Sequence, residues 1–464
     1  MTIRGRVIPL SSARGAVVPL GAPRAQASQG AGLAPEAGEA PAVQVVAAPV
    51  PAVERNRLPV ILILFCSLFM FGQVFHYMID VGYVYYLSKA WPVLVLPFGV
   101  YALLRLKTPF AGHYLVVIAY VLCVTPVMSI VWLGNNFGDS ITNSVKVWPL
   151  SYYFSLVGCL VWFDVKTDEV VKAMLLAGFA TAATMLLLWE FAPWRYYTWD
   201  PGVSRLFLKD MSRGNHIFFP ITFLLVVTFY ATYQVMRRPH IWHILFIALS
   251  LYIQFAVFKQ RTAAASCIVV MGGLFLFRLP KMLRSIAIGS GFIVTILGGA
   301  YVMLRLDEVL NSLGGSLTVR QTSMGLLEKY LGDRPLRWVF GAGGASRMGS
   351  VTMEDIVGRK DFWLTDLGWA GVLFEFGILG TAVMIALFFH ALWWTGRQPA
   401  VGRPRERAMI GAIVAYIAYL TISSLIYSFA YAPGELATMT ALLLYMTARI
   451  KSGGGQLMLT RRLE

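Results

Sequence analysis

From residue 59 onward the chain alternates apolar runs with short polar joints. The runs fall at 59–78, 84–104, 112–133, 148–164, 170–190, 216–236, 241–258, 262–277, 284–304, 366–394, 409–428 and 432–449. Most approach the roughly 20 residues that a helix needs to cross the hydrocarbon of a bilayer. Within that hydrocarbon every backbone polar group must be satisfied internally, so runs of this length predict helices. The pattern therefore predicts an all-α polytopic membrane protein of about 12 transmembrane helices, with a long loop ahead of the tenth.

The polar joints orient the bundle. An even number of spans puts both termini on one side. The basic groups Arg105 and Lys107, Arg237 and Arg238, Lys281 and Arg284, Arg397 to Arg407 and Arg449 to Arg462 all fall on that side. Cytoplasmic loops carry the excess of Lys and Arg, so that side is expected to be cytoplasmic. Composition agrees: 58% of the 464 residues are hydrophobic and 13% charged, which excludes a soluble globule. The formal charge of +16 then reflects joints lying beside an anionic leaflet, and nucleic acid is not an expected partner. Cys66, Cys123, Cys159 and Cys267 lie inside predicted spans and are expected to act as small core hydrophobes. Neither they nor the six histidines have metal-ligand spacing, so no metal or other cofactor is called for.

One joint breaks the pattern. Lys259-Gln260-Arg261 links the apolar segments 241–258 and 262–277, whose outer joints are also basic. If the outer joints are cytoplasmic, this tip faces outward, where topology does not ask for cations. A bound anion is one reason to keep them there. Two further outward segments exceed simple turns. Segment 191–215 carries Trp194, Tyr196, Tyr197, Trp199, Arg205, Lys209 and Arg213. Its aromatic residues suit an interfacial belt or, at Trp199, stacking on a sugar. In segment 306–365, Leu317, Met324, Leu327 and Leu331 recur at helical spacing beside Arg320 and Gln321, predicting an amphipathic helix laid on the membrane domain. Gly341-Ala342-Gly343-Gly344 follows as a tight turn; no strand precedes it, which argues against a nucleotide cradle.

The tenth span is expected to open at Thr365-Asp366 and to carry Glu375 ahead of Gly377-Ile378-Leu379-Gly380. A carboxylate that deep needs a partner, expected here to be an arginine. No paired broken helices of the transporter kind are evident. The domain limits that follow are a disordered cytoplasmic tail at 1–57, spans one to nine at 58–305, the outward loop at 306–365, spans ten to twelve at 366–450, and a second tail at 451–464.

Arg213, Arg261 and Arg320 thus stand on one face with Asp366. Guanidinium forks suit phosphate oxygens, and a nearby carboxylate can take a proton from a hydroxyl. The order of motifs resembles the O-antigen polymerase and ligase superfamily, integral membrane glycosyltransferases of the GT-C class. The resemblance is carried by Gln260-Arg261-Thr262-Ala263-Ala264 at an outward tip, by Arg320 ahead of Gly341-Ala342-Gly343, and by Asp366 through Glu375-Phe376-Gly377-Ile378-Leu379-Gly380. It covers residues 200–390. Ligases of the superfamily carry a His-Asn pair where this chain has Asp366-Leu367, a departure that points toward a polysaccharide polymerase.

The resemblance implies a bacterial inner-membrane enzyme, without metal, that moves a growing glycan from a polyprenyl (undecaprenyl) diphosphate carrier to a sugar hydroxyl on another lipid-linked repeat unit. Arg261 and Arg320 would neutralise the leaving diphosphate and Asp366 would act as general base. Arg213, Lys259, Gln260, Glu375 and Trp199 would line the substrate site. A flippase and a chain-length regulator are the implied partners. Ligase-type transfer and a transporter of lipid-linked glycan stay open as alternatives.

Overall fold

The computed structural model describes residues 57–76, 78–210, 213–304, 315–344, 353–358, 364–398, 401–424 and 432–453. The expected tail at 1–57 therefore lies outside the described residues but for Arg57, as do most of the tail at 451–464 and three stretches of the 306–365 loop, 306–314, 345–352 and 359–363. Everything below concerns the compact unit Asn56–Glu464.

The described residues are predominantly helical. In chain order the helices are α1 Leu58–Phe71, α2 Gly82–Arg105, α3 Ala111–Leu133, α4 Phe137–Trp162, α5 Thr167–Phe191, α6 Thr222–Arg237, α7 Ile241–Phe258, α8 Arg261–Arg278 and α9 Lys281–Leu304. They continue with α10 Gly315–Leu331, α11 Pro335–Phe340, α12 Met353–Val357, α13 Trp369–Gly396, α14 Pro404–Ser423 and α15 Pro433–Lys451. Eight of them, α2 to α5, α7, α8, α13 and α14, are long and apolar enough to cross a membrane. The fold is thus that of a multi-pass membrane protein. Among the described residues the named strands form one two-stranded antiparallel ribbon, β1 Phe207–Asp210 and β2 Gly214–Ile217.

The helices least like membrane spans sit at the centre. α6 has 16 residues, about 24 Å of helix, yet every residue from Thr222 to Thr232 is buried. α15 is buried on all sides from Pro433 to Ala448. A helix that touches only protein need not be apolar all round, so α15 can carry Thr438, Thr440 and Thr447. Thr438 donates to the Phe71 carbonyl at 2.7 Å, and Thr440 shares a hydrogen bond of 2.7 Å with the Tyr114 hydroxyl. α14 packs on α6 and α15, and α5 packs on α6 as well. α7 and α8 lie at the periphery and expose Leu245, Phe255, Ile268 and Val269. Of the four cysteines only Cys267 is buried. Cys66 and Cys123 are exposed, so the expectation of four core thiols holds for one.

Several spans change pitch. α2 bends at Val95 between Pro92 and Pro97, and α4 carries a 3-10 stretch over Val145–Ser151 around Pro149, whose ring removes a backbone donor. α3 and α7 contain π-helical turns at Tyr120–Val124 and Ile253–Phe258, local insertions that rotate the residues on either side. α1 is shorter than the run 59–78 suggests, ending at Phe71 with Gly72 beyond it.

Candidate functional site

The hairpin tip is built by the π turn that closes α7. Lys259 follows it in the left-handed region, at φ 52°, which reverses the chain into α8. A β-carbon makes that conformation costly, and two contacts hold it there. The Lys259 ammonium donates to the Arg213 carbonyl at 3.1 Å and lies 5.2 Å from the centre of the Trp189 ring at the end of α5. Lys259 is thus a latch between the tip and the β ribbon. Gln260 caps α8, its carbonyl receiving the Ala264 N–H at 3.2 Å. Arg261 is the first residue of α8 and is exposed, with no ion pair among the described residues.

The ribbon uses its own cations. Nε and Nη2 of Arg213 donate to one Asp210 carboxylate oxygen at 3.0 and 2.7 Å, so Arg213 is already paired. The Lys209 ammonium lies 5.1 Å from the centre of the exposed Trp199 ring, a cation–π contact that covers one of its faces. His216 of β2 is buried at 1% exposure, its Nδ1 3.1 Å from the Gly214 carbonyl. Burial holds its pKa below the usual imidazole value; Arg213 and Lys259 push it the same way, against the Gly214 carbonyl and Asp210.

A second constellation lies in α13, which is not continuous. Gly377 adopts φ 66°, ψ −176°, a conformation open to glycine alone, and the helix breaks there. A helix end leaves its last carbonyls without partners, and here outside donors reach them. The Ala342 N–H donates to the Phe374 carbonyl at 2.7 Å and the Gly343 N–H to the Glu375 carbonyl at 3.1 Å. The Tyr120 hydroxyl, set by the π turn of α3, donates to the Phe376 carbonyl at 2.6 Å, with the Phe340 carbonyl a longer acceptor at 3.2 Å. The glycines at 341 and 343, at φ 85° and 90°, allow this approach, because a β-carbon on either would strike the backbone of Glu375 or Ser129. The turn expected at 341–344 is therefore a plug in a broken helix.

Beneath the plug, Glu375 is fully buried and pairs with the Lys146 ammonium at 2.5 Å. The expected arginine partner is a lysine from the 3-10 stretch of α4. Ser129 and Asn143 both donate to the Gly344 carbonyl, at 2.8 and 3.1 Å, closing the floor of the plug. Lys146 and Arg205 both lie within electrostatic range of Lys89, while the N–H groups of Arg205 and Leu206 are held by the Asp80 carboxylate at 3.1 Å. Lys89 thus has two cations within range, and one of them, Lys146, is the partner of the buried Glu375. Neither Lys89 nor Lys146 stands among the candidates read from the sequence, although a lysine inside an apolar span is a signal in its own right.

The remaining candidates meet at the level of the backbone. Asp366 lies in a 3-10 turn, Leu364–Leu367, and α13 begins only at Trp369 after Gly368 at φ 56°. Asp366 thus precedes the span that it was expected to open. Arg320 lies in α10, and α10 packs on both that turn and α13, with the Tyr330 and Phe374 rings 5.5 Å apart. The side chains of Arg320 and Asp366 lie outside the described residues. Of the predicted apolar face of α10, Leu327 and Leu331 are buried while Met324 is exposed.

One end of the bundle carries all of these segments. The Arg237 guanidinium at the end of α6 donates to the Pro404 carbonyl at the start of α14, so the α13–α14 joint lies at the end opposite the ribbon. α13 therefore begins at the ribbon end, where Lys259 docks. The main packing partners of α8 are α6, α7 and α14, which sets Arg261 apart from the Arg320 and Asp366 segments.

The fold and this arrangement define a multi-pass helical membrane protein with a cation-rich end. No family model matches the chain, and no curated protein matches it significantly.

Proposed function

We propose that the protein polymerises lipid-linked oligosaccharide repeats by glycosyl transfer from a polyprenyl diphosphate carrier, on the outer leaflet of a bacterial inner membrane. The observation that carries this reading is the packing of the Arg320 helix against the turn that holds Asp366, at the end of the bundle where the hairpin tip presents Arg261, exposed and without an ion pair among the described residues. In the reaction an acceptor hydroxyl forms a bond to the anomeric carbon as the bond from that carbon to the diphosphate oxygen breaks. The hydroxyl proton passes to the Asp366 carboxylate. The diphosphate leaves with growing charge, and Arg261 and Arg320 would hold it more tightly as that charge develops. Lys89 and Arg205 add positive potential on the same side, Lys146 being matched by Glu375, while Arg213, Lys259, Gln260 and Glu375 would shape the site and Trp199 would offer an exposed ring to a sugar.

The test is polymer formation by full-length protein in membranes supplied with lipid-linked repeats. Arg261→Ala and Asp366→Asn are each expected to cut polymer by about 10²-fold or more while the protein still reaches the membrane. Normal chain length in either variant removes that residue from the mechanism.

A second reading is favoured by the break at Gly377 and the buried Lys146–Glu375 pair, since broken helices and intramembrane charges are also features of transporters. A deletion strain separates the two: single repeats accumulate on the outer leaflet if a polymerase is lost, and on the inner leaflet if a flippase is lost.

A further inference from the structure

At the end of the bundle opposite the hairpin tip, α5, α6 and α7 part to leave a groove of about 1030 Å³. Its inner walls are apolar, formed by Leu175 and Phe179 of α5, Val227 of α6, and Leu245, Phe246 and Leu249 of α7. Its mouth is basic. Lys172, Arg237, Arg238 and Arg405 line the rim together with a single carboxylate, Asp168. That carboxylate is taken by Lys172 at 2.5 Å, and Arg237 is turned toward the Pro404 carbonyl. Arg238 and Arg405 are exposed and have no ion pair among the described residues. Trp242, also exposed, stands at the rim as interfacial tryptophans do. Between mouth and walls, Gln234 donates to the Tyr230 hydroxyl at 2.8 Å, a polar step partway along the groove.

We infer that this groove is a binding site for one anionic phospholipid, its phosphate between Arg238 and Arg405 and its acyl chains along α5, α6 and α7. Each part of the groove matches a part of that ligand. The volume suits a lipid-sized guest, the apolar walls suit acyl chains, and the polar step suits the ester region. The two exposed guanidiniums, without an ion pair among the described residues, suit a phosphate, and the excess of cations at the mouth selects an anionic headgroup over a zwitterionic one. The groove lies away from the site proposed above, so this inference stands or falls independently of the glycosyl-transfer reading.

The experiment uses full-length protein purified in mild detergent. Phosphatidylglycerol or phosphatidylcholine is titrated in while bound lipid is counted by native mass spectrometry. The wild type is expected to retain one phosphatidylglycerol per chain and to bind phosphatidylcholine at least tenfold more weakly. Arg238→Gln with Arg405→Gln, both at exposed positions and therefore compatible with folding, is expected to weaken phosphatidylglycerol at least tenfold and leave phosphatidylcholine unchanged. Val227→Trp, which fills the groove, is expected to reduce both. Equal binding of the two lipids by the wild type overturns the inference, and so does unchanged phosphatidylglycerol binding by the double variant. A lipid-free dimer that buries Arg238 and Arg405 would overturn it as well, by giving the groove to a second copy of the chain.

Discussion

The hairpin tip and the break in α13 both place charge where apolar helices end, and they treat that charge in opposite ways. At the break, Glu375 is wholly buried, its ion-pair partner Lys146 is 2.5 Å away, and three neighbouring backbone carbonyls are met by donors from α3 and the 341–344 turn. At the tip, Arg261 is exposed and unpaired among the described residues, while its neighbour Lys259 is spent on the Arg213 carbonyl and the Trp189 face. Burial decides the role in each case. A buried charge must be matched within the protein, since an unmatched one costs several kcal/mol, so the break serves first as architecture. An exposed guanidinium is under no such demand and stays available to a ligand. Of the cations at the tip, Arg261 alone meets that condition.

On this contrast, the largest effects on folding belong to the break. Gly377→Ala should be the most damaging substitution. It puts a β-carbon into a conformation reserved for glycine and drives it against the Val339 and Phe340 backbone, for a loss of about 3 kcal/mol or more. The expected outcome is little protein surviving detergent extraction as a monodisperse peak; wild-type yield and melting temperature would mean that α13 does not break there. Glu375→Gln comes next. It leaves Lys146 without its counter-charge at a cost of about 3 kcal/mol. The double variant Glu375→Gln with Lys146→Met should recover most of that loss, and additive destabilisation in a double-mutant cycle would show that the two residues are not coupled.

The same contrast explains what could be read from the sequence. Most spans were legible because their outer faces are apolar, and Ile241–Phe258 and Arg261–Arg278 match the expected runs almost to the residue. Helix boundaries were less so. Nothing in Thr365-Asp366-Leu367-Gly368 announces that Gly368 takes a positive φ and delays α13 until Trp369. The break was hidden because Gly377-Ile378-Leu379-Gly380 reads like any apolar helix with glycines, which membrane helices tolerate. Its cause lies partly elsewhere, in the turn at 341–344 and in Tyr120, and only the tertiary fold brings them together. Lys146 escaped for the same reason, since its partner is distant in sequence. Of the proposed catalytic set, packing joins the segments of Arg320 and Asp366, whereas the link to Arg261 rests on their sharing an end of the bundle.

The smallest expected effect sharpens the tip side of the comparison. His216 lies under the ribbon against which Lys259 is latched, buried and held neutral by desolvation, with Arg213 and Lys259 nearby. Its folded pKa is depressed below the ordinary value of 6.5. The unfolded chain therefore takes up a proton that the folded chain refuses once pH drops through that value, and stability falls. The loss can reach at most about 1.4 kcal/mol per pH unit below 6.5 and levels off once the folded imidazole also titrates. Above 6.5 this contribution is fully present and the profile from this group is flat. His216→Gln removes the titration, so its melting temperature should fall less than that of the wild type between pH 7.5 and pH 5. If both proteins lose the same amount over that interval, the acid sensitivity of this end of the bundle does not come from the buried imidazole, and the ribbon tolerates charge beneath it as readily as the tip does above.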